Sequence, residues 1–200
     1  MMRRATVTRK TRETDITVTL DLDGRSRTAV RTGLPFLDHM LVLLGTHGRF
    51  DLTVRASGDL EVDIHHTNED VGLVLGQALL QALGDCRGIL RFGWAYVPME
   101  EALARVVLDI SGRPKLVVRD QRPSRRTLRG SGTTYQWQDL EHWLESIVRG
   151  AKLTVHVDLF SGEDFHHAGE AIVKAFARAL AQAVQHDRRG SGVPSSKGRL

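Results

Sequence analysis

Apolar residues recur at helical spacing in four stretches of the chain, and these stretches form two similar pairs. The first helix of each pair is predicted by Leu34, Leu37, Leu41 and Leu44 and by Leu140, Trp143, Leu144 and Ile147. The second is predicted by Val71, Leu75, Leu79 and Leu83 and by Ile172, Phe176, Leu180 and Val184. Between the helices of each pair lies a predicted strand, at residues 52–56 and 152–159.

Further alternating segments precede the helices in both halves. A strand, a turn and a return strand are expected at residues 16–22, Asp23-Gly24 and 27–31, and again at residues 102–108, 111–114 and 115–119. Strands grouped before helices in each half predict an α+β fold, with a mainly antiparallel sheet and helices on one face.

The chain carries an internal repeat. His65, His66 and Glu69 recur 101 positions later, as does Leu52-Thr53-Val54, while Asp38-His39-Met40-Leu41 corresponds to residues 141–144 at an offset of 103. We therefore expect residues 1–186 to form one pseudo-symmetric domain, with halves at about 1–92 and 93–186. Residues 121–134 read as a polar loop and residues 187–200 as a flexible tail.

Composition narrows the class of protein. A chain of 200 residues with 41% hydrophobic and 26% charged residues is typical of a globular protein. No apolar run approaches the ~18 residues that span a bilayer, and the charged N-terminus lacks the apolar segment of a secretory signal, so a cytoplasmic location is expected. A net charge of +4 favours anionic partners, but scattered arginines and 6% aromatic residues disfavour nucleic acid. The single cysteine, Cys86, excludes an intramolecular disulfide and a thiolate metal cluster.

Two His-His-x-x-Glu motifs stand at corresponding positions of the repeat and indicate metal chemistry. On a helix, the first histidine and the glutamate lie side by side at i and i+4, a spacing that suits a transition metal. Adjacent histidines point about 100° apart on a helix, so they need not serve the same ion. The candidates divide into two sites of three histidines and one glutamate, drawn from His39, His65, His66, Glu69, His142, His166, His167 and Glu170. Imidazole with one carboxylate suits Mn, Fe, Ni, Co or Zn rather than Ca or Mg.

Further short sequence motifs are spread over nearly the whole chain, and together they indicate one family. They are Arg12-Glu13-Thr14, residues 32–40, Gly58-Asp59, residues 65–70, Pro98-Met99-Glu100-Glu101-Ala102-Leu103, residues 109–114, residues 166–171 and Pro194-Ser195-Ser196-Lys197-Gly198. With these motifs the chain resembles the imidazoleglycerol-phosphate dehydratase family of histidine biosynthesis.

The resemblance implies a manganese enzyme with two Mn²⁺ ions per active site. It would be a hydro-lyase that converts D-erythro-imidazole glycerol phosphate to imidazole acetol phosphate and water. The implied fold is a duplicated α+β fold with ferredoxin-like or ribosomal-protein-S5-domain-2-like halves. The implied assembly is a homo-oligomer of twenty-four subunits with octahedral symmetry and active sites between subunits.

The resemblance also implies residue roles. The eight histidines and glutamates of the two motifs and their upstream partners would be the metal ligands. Glu13 would move protons, assisted by Glu69 and Glu170, and His47 would line the substrate pocket together with His39 and His65. The phosphate would be bound by Arg91, Arg113, Ser195 and Lys197.

Physical chemistry independently favours two metal sites for this reaction. The hydrogen that is lost sits on a carbon with no adjacent carbonyl, so enolate stabilisation is not open to the enzyme. An imidazole that bridges two divalent cations can ionise to imidazolate and expel the neighbouring hydroxyl. The reaction therefore needs two metal sites, a mobile carboxylate and a cationic phosphate clamp.

Two other functions are also compatible with these sequence features. A dinuclear metallohydrolase could use the same ligands to activate water, and a metal-stapled structural shell or a basic nucleic-acid-binding module would need no catalysis. His156 and His186 belong to no motif and are expected to be structural. Positions that depart from the family pattern, and whose effect the sequence leaves open, are Asn68, Glu100, Trp143, Leu144, Asp164 and Ser196.

Overall fold

The computed structural model describes residues 3–123, 128, 130 and 134–200, so most of the predicted loop at 121–134 lies outside the described residues. The strands are β1 (Arg4–Lys10), β2 (Thr14–Asp21), β3 (Thr28–Arg31), β4 (Asp51–Gly58), β5 (Phe92–Met99), β6 (Ala102–Asp109), β7 (Lys115–Asp120) and β8 (Thr154–Ser161). The helices are α1 (Pro35–Gly48), α2 (His65–Leu83), α3 (Trp137–Ala151) and α4 (Phe165–Ala183).

The strands form two mixed sheets of the same topology, which confirms the duplicated α+β fold. The strand orders are β1-β2-β4-β3 and β5-β6-β8-β7. In each sheet two strand pairs are antiparallel, and the last pair, β3 with β4 or β7 with β8, is parallel.

The predicted return strands do not pair where the turn signals placed them. The segment after Asp23-Gly24 becomes β3 and lies beside β4, not beside β2, and β7 likewise lies beside β8. Both edges of β2 are already occupied by β1 and β4. The loop is drawn toward β4 because Asp51 Oδ1 accepts hydrogen bonds from the N–H groups of Arg25 and Arg27. The flanking strands β1 and β5 were not predicted; β1 is rich in polar residues on both faces, which hides its alternation.

Strand pairing also corrects the register of the repeat. Leu52 pairs with Leu20 and Thr28, whereas in the second sheet Val155 pairs with the corresponding residues, Leu108 and Leu116. Leu52 therefore corresponds to Val155 at an offset of 103 and not to Leu153 at 101. The offset of 101 holds only from the His-His pairs onward, because four residues separate β8 from His166 whereas six separate β4 from His65.

The helices lie between the two sheets and join the halves. Each sheet is covered on one face by helices of its own half, and α1 packs against α4 while α2 packs against α3. The interface between α2 and α3 is close because Gly76 and Gly150 bring the two backbones together. Among the described residues no helix is long and apolar enough to cross a membrane. The pairing of helices across the halves decides which ligands meet.

Candidate active site

The first candidate metal centre, here called the α1–α4 cluster, consists of His39, His166 and Glu170. One potential ligand atom from each residue lies within 4.8 Å of the others. Glu170 Oε1 is 2.8 Å from His39 Nε2 and 2.9 Å from His166 Nε2. His166 and Glu170 stand one turn apart on α4, as the motif predicts, whereas His39 comes from α1 in the other half.

A lysine compensates the glutamate of this cluster. Burial raises the pKa of Glu170, but hydrogen bonds from Lys174, His39 and His166 outweigh it and bring the pKa to about 2. Only 8% of the Glu170 side chain and 15% of the Lys174 side chain are exposed. Lys174 was not singled out from the sequence, because the residue belongs to neither His-His-x-x-Glu motif. Its position one turn after Glu170 was the signal that could have found it.

The second candidate metal centre, the α2–α3 cluster, consists of His65, Glu69 and His142. His65 Nε2 lies 3.8 Å from Glu69 Oε2, and the rings of His65 and His142 stack with centroids 4.5 Å apart. Arg149 on α3 pairs with Glu69 and lowers the pKa of its carboxyl group. The side chains are more exposed here, at 29% for Glu69 and 52% for Arg149.

The remaining histidine of each adjacent pair lies outside both clusters. His66 Nδ1 is 3.0 Å from Asp59 Oδ2, and His167 Nδ1 is 2.7 Å from Glu101 Oε2. The structure thus brings six of the eight predicted ligands into two groups of three. It also separates the adjacent histidines, as their angular spacing on a helix allows.

Both clusters suit a first-row divalent ion by the chemistry of their donors. Each offers two imidazole nitrogens and one carboxylate oxygen, a ligand set typical of transition metals. Ligands at about 2.1 Å from one ion lie roughly 3–4 Å apart, so small side-chain rotations would close either group around an ion. Three protein ligands leave coordination positions open for a substrate or a further ligand.

His47 and Glu13 lie in different parts of the structure. His47 lines a cleft of about 490 Å³ that Trp94, Tyr96 and Arg178 also border. Burial lowers the pKa of His47, and the charges of Lys174 and Arg178 lower it further against the opposing charge of Glu170, so His47 is biased toward the neutral form. Glu13 is exposed in the turn before β2, close enough to His66 for its charge to raise the pKa of that histidine.

The four residues predicted to bind phosphate border a separate cleft of about 420 Å³. Arg113 and Lys197 face it with no side-chain partner among the described residues. Arg91 is already engaged: its Nε is 2.7 Å from Asp109 Oδ1, and its Nη1 donates to the carbonyl of Pro194 at 2.8 Å. Arg91 thus holds the tail, while Arg113, Lys197 and Arg199 line the cleft without a side-chain partner among the described residues.

Comparison with known proteins places this arrangement in a family. Residues 32–180 match the family model for imidazoleglycerol-phosphate dehydratase. The chain belongs to this family. Among its relatives, the imidazoleglycerol-phosphate dehydratase of Mycolicibacterium gilvum (strain PYR-GCK) is 52% identical over 202 residues, with 100% of both chains covered. That of Mycolicibacterium smegmatis (strain ATCC 700084 / mc(2)155) is also 52% identical, with 99% of this chain and 97% of the relative covered.

Solved structures of imidazoleglycerol-phosphate dehydratases share the fold. The enzyme from Staphylococcus aureus subsp. aureus N315 superposes with a TM-score of 0.79 at 37% identity, covering 92% of this chain and 99% of that one. The enzyme from Pyrococcus furiosus, in complex with (S)-C348, gives a TM-score of 0.81 at 32% identity, covering 97% and 100%.

Two departures from the pattern of this dehydratase family have a structural explanation. Asn68 is 1% exposed and joins α2 to α3: its Nδ2 donates to the carbonyl of Asp139 at 2.8 Å, and its Oδ1 accepts from Tyr135 at 2.6 Å. Asp164 is the N-cap of α4 and accepts hydrogen bonds from the N–H groups of His166 and His167. Both residues therefore support helices that carry candidate ligands.

Proposed function

We propose that this protein is the lyase of histidine biosynthesis that dehydrates D-erythro-imidazole glycerol phosphate to imidazole acetol phosphate and water. The observation that carries the proposal is the pair of His-His-Glu clusters, each assembled from both halves, in a chain that belongs to the imidazoleglycerol-phosphate dehydratase family. A protein of this class acts in the cytoplasm, and we include that location in the proposal.

Two Mn²⁺ ions per active site would be held by the two clusters. His39, His166 and Glu170 would bind one ion, and His65, Glu69 and His142 the other. When bound, two such cations stabilise the imidazole ring of the substrate as its anion, which supplies the electron sink that the reaction lacks. His66 and His167 would each complete a site in another copy of the chain, because neither belongs to a cluster within its own chain.

Glu13 is the proposed proton-transfer group. Its carboxylate has no side-chain partner among the described residues, so it is free to move and to accept a proton from the substrate carbon. His47 is proposed to hydrogen-bond the substrate, since its lowered pKa favours the neutral form that can both donate and accept. Glu69 and Glu170, whose pKa values are lowered, would be ionised and would help to hold the ions.

The phosphate would bind in the cleft bordered by Arg113, Ser195 and Lys197. Arg113 can present two N–H groups to phosphate oxygens, and Lys197 adds a point charge. Arg91 contributes by holding the tail, residues 187–200, against the domain formed by residues 1–186 through the carbonyl of Pro194.

A homo-oligomer, of twenty-four subunits by family resemblance, is proposed to form the complete sites. An exposed apolar stripe on β5, made by Phe92, Trp94 and Tyr96, supports association, because monomeric proteins rarely expose contiguous aromatic surface. Metal binding and assembly would be linked if ligands come from different subunits. Chelation should therefore convert a large particle into smaller species, and an unchanged size-exclusion profile after complete metal removal would contradict this.

Turnover of imidazole glycerol phosphate by metal-stripped protein, before and after Mn²⁺ is added, tests the proposed function. We expect activity to appear with Mn²⁺ and to vanish in His65→Ala and in His166→Ala. Release of inorganic phosphate in place of dehydration would indicate a metallohydrolase. If two ions bind per chain but no product forms, the metal sites would have a structural role and the proposed activity would be contradicted.

Mixing two inactive variants tests whether sites are shared between copies. His65→Ala removes a ligand of the α2–α3 cluster, and His66→Ala removes the histidine that we assign to a neighbouring copy. If a site takes these residues from different chains, a mixture of both variants, reassembled with Mn²⁺, contains some sites with all ligands intact. We expect partial activity from the mixture and none from either variant alone; an inactive mixture would contradict shared sites.

A further inference from the structure

Each histidine outside the clusters is held through Nδ1 by a carboxylate, and the two carboxylates come from different parts of the fold. Asp59 Oδ2 lies 3.0 Å from Nδ1 of His66, and Glu101 Oε2 lies 2.7 Å from Nδ1 of His167. Of the two neutral tautomers of such a histidine, the carboxylate favours the one with the proton on Nδ1. It leaves the lone pair of Nε2 directed away from the contact and free to bind a cation.

Asp59 and Glu101 do not occupy equivalent positions in the two halves of the repeat. Asp59 directly follows β4, whereas the residue that directly follows β8 is Gly162, the counterpart of Gly58: Gly58 lies against Thr14 and Thr67, and Gly162 lies against the equivalent Ala102 and Ala168. Glu101 directly precedes β6, and the corresponding residue before β2 is Glu13. In the second half, therefore, the residue equivalent to Glu13 holds the histidine, whereas in the first half Asp59 holds it.

Glu101 is itself fixed from several directions. Its Oε1 accepts hydrogen bonds from the backbone N–H groups of Glu163 at 3.0 Å and Asp164 at 2.9 Å, while Oε2 faces His167. These three contacts hold the Glu101 carboxylate against His167.

In the first half, Asp59 holds the histidine, and Glu13 therefore makes no hydrogen bond to it. The two glutamates precede equivalent strands, but only the second is bound to a histidine among the described residues. A single duplicated turn thus supplies a fixed orienting group in one half and a mobile carboxylate in the other.

We propose that Asp59 and Glu101 are positioning residues that fix the Nδ1–H tautomer of His66 and His167 and so direct Nε2 toward a cation outside the chain's own clusters. The inference rests on the proposed function, since it assumes that these histidines bind the ions. It adds that Asp59 frees Glu13 for proton transfer.

The test compares removal of each orienting acceptor with removal of a neighbouring charge. Asp59→Ala and Glu101→Ala remove the acceptors. Asp63→Asn and Glu100→Gln are matched controls, because Asp63 and Glu100 act on His66 and His167 through charge without a side-chain hydrogen bond to them. Full-length protein is stripped of metal and titrated with Mn²⁺, and free Mn²⁺ is measured by electron paramagnetic resonance.

We expect each alanine variant to weaken Mn²⁺ binding at one site by about 10–100-fold, the usual effect of losing a carboxylate behind a metal-binding histidine. The controls should change the affinity by about fivefold at most, as exposed charges do. Asp59→Asn and Glu101→Gln should recover part of the loss, since an amide oxygen still accepts a hydrogen bond from Nδ1.

A spectroscopic readout separates orientation from general stability. Nitrogen-15 solid-state spectra of histidine-labelled, metal-free protein at alkaline pH should lose one Nδ1–H signal in each alanine variant and retain it in the controls. Wild-type affinity in the alanine variants, equal weakening by the controls, or unchanged tautomer signals would each overturn the inference. If the wild-type chain binds no Mn²⁺ at all, the proposed function fails with it; if Mn²⁺ binds and drives turnover but the alanine variants match wild type, only this inference fails.

Discussion

The two clusters carry the same ligands in the same repeat, yet they differ in how their glutamates are compensated. In the α1–α4 cluster, Glu170 is nearly buried and is paired with Lys174 on the same helix. In the α2–α3 cluster, Glu69 is more exposed and is paired with Arg149 on the opposite helix. The repeat therefore keeps the His-His-x-x-Glu motif, while the surrounding helices set its electrostatics separately in each half.

The helix interfaces beneath the clusters differ as well. Helices α2 and α3 approach through glycine at Gly76 and Gly150, and the buried polar contact of Asn68 joins them. At the α1–α4 cluster, Gly169 takes the place of Asn68 and lies against the side chains of Phe36, Leu140 and Met40. One cluster is thus positioned by backbone contact and a directional hydrogen bond, and the other by apolar packing.

The largest expected difference concerns the compensating cations in metal-free protein. Lys174→Met should lower the free energy of unfolding by about 3 kcal/mol, because it leaves the nearly buried carboxylate of Glu170 without its cation. Arg149→Met should cost about 0.5 kcal/mol, because its partner Glu69 is better solvated. Urea unfolding with chelator at fixed protein concentration measures both. Equal losses of unfolding free energy in the two variants would show that the two glutamates do not differ in their need for a cation. Saturating Mn²⁺ should reduce the difference between the two variants.

A methyl group added to each helix interface should have opposite effects. In Gly76→Ala the new Cβ would lie 2.8 Å from the backbone nitrogen of Ala151 and closer still to the carbonyl of Ile147. We expect a loss of about 2 kcal/mol as the helices are forced apart. In Gly169→Ala the nearest atom is 3.4 Å away, so helix propensity should dominate and add about 0.5 kcal/mol. Thermal unfolding of the two variants would contradict the comparison if both changes had the same sign.

The hydrogen bond between Tyr135 and Asn68, beneath the α2–α3 cluster, should contribute less to the free energy of unfolding. Burial raises the pKa of Tyr135, so its hydroxyl stays protonated and donates to Asn68. Tyr135→Phe leaves the buried oxygen of Asn68 without that donor and should cost about 1.5 kcal/mol in urea unfolding. Tyr96→Phe is the matched control, because its hydroxyl accepts from Arg105 at an exposed site and its loss should cost less than about 0.5 kcal/mol. A similar cost for both variants would contradict the expectation that the buried hydrogen bond to Asn68 stabilises the protein more than an exposed one does.

The sequence by itself determined the parts of the site that depend on local geometry. The i, i+4 spacing of His166 and Glu170 is a property of one helix, and the structure places both residues together as that spacing predicts. The apolar periodicity that predicted the helices is local in the same sense, and the internal repeat predicted two similar halves without any tertiary information. Two of the eight predicted ligands, His66 and His167, lie outside both clusters, and their role as ligands stays a prediction.

Only the tertiary structure decided which helices meet and which charges face the ligands. His39 joins His166 because α1 packs against α4 across the halves, a contact between residues far apart in the chain. The same holds for Arg149 beside Glu69, and for β3, which takes the free edge of β4 because β2 is already paired on both sides. Local periodicity shows which face of an element is buried, but the partner of that face depends on how all elements share the available edges and faces.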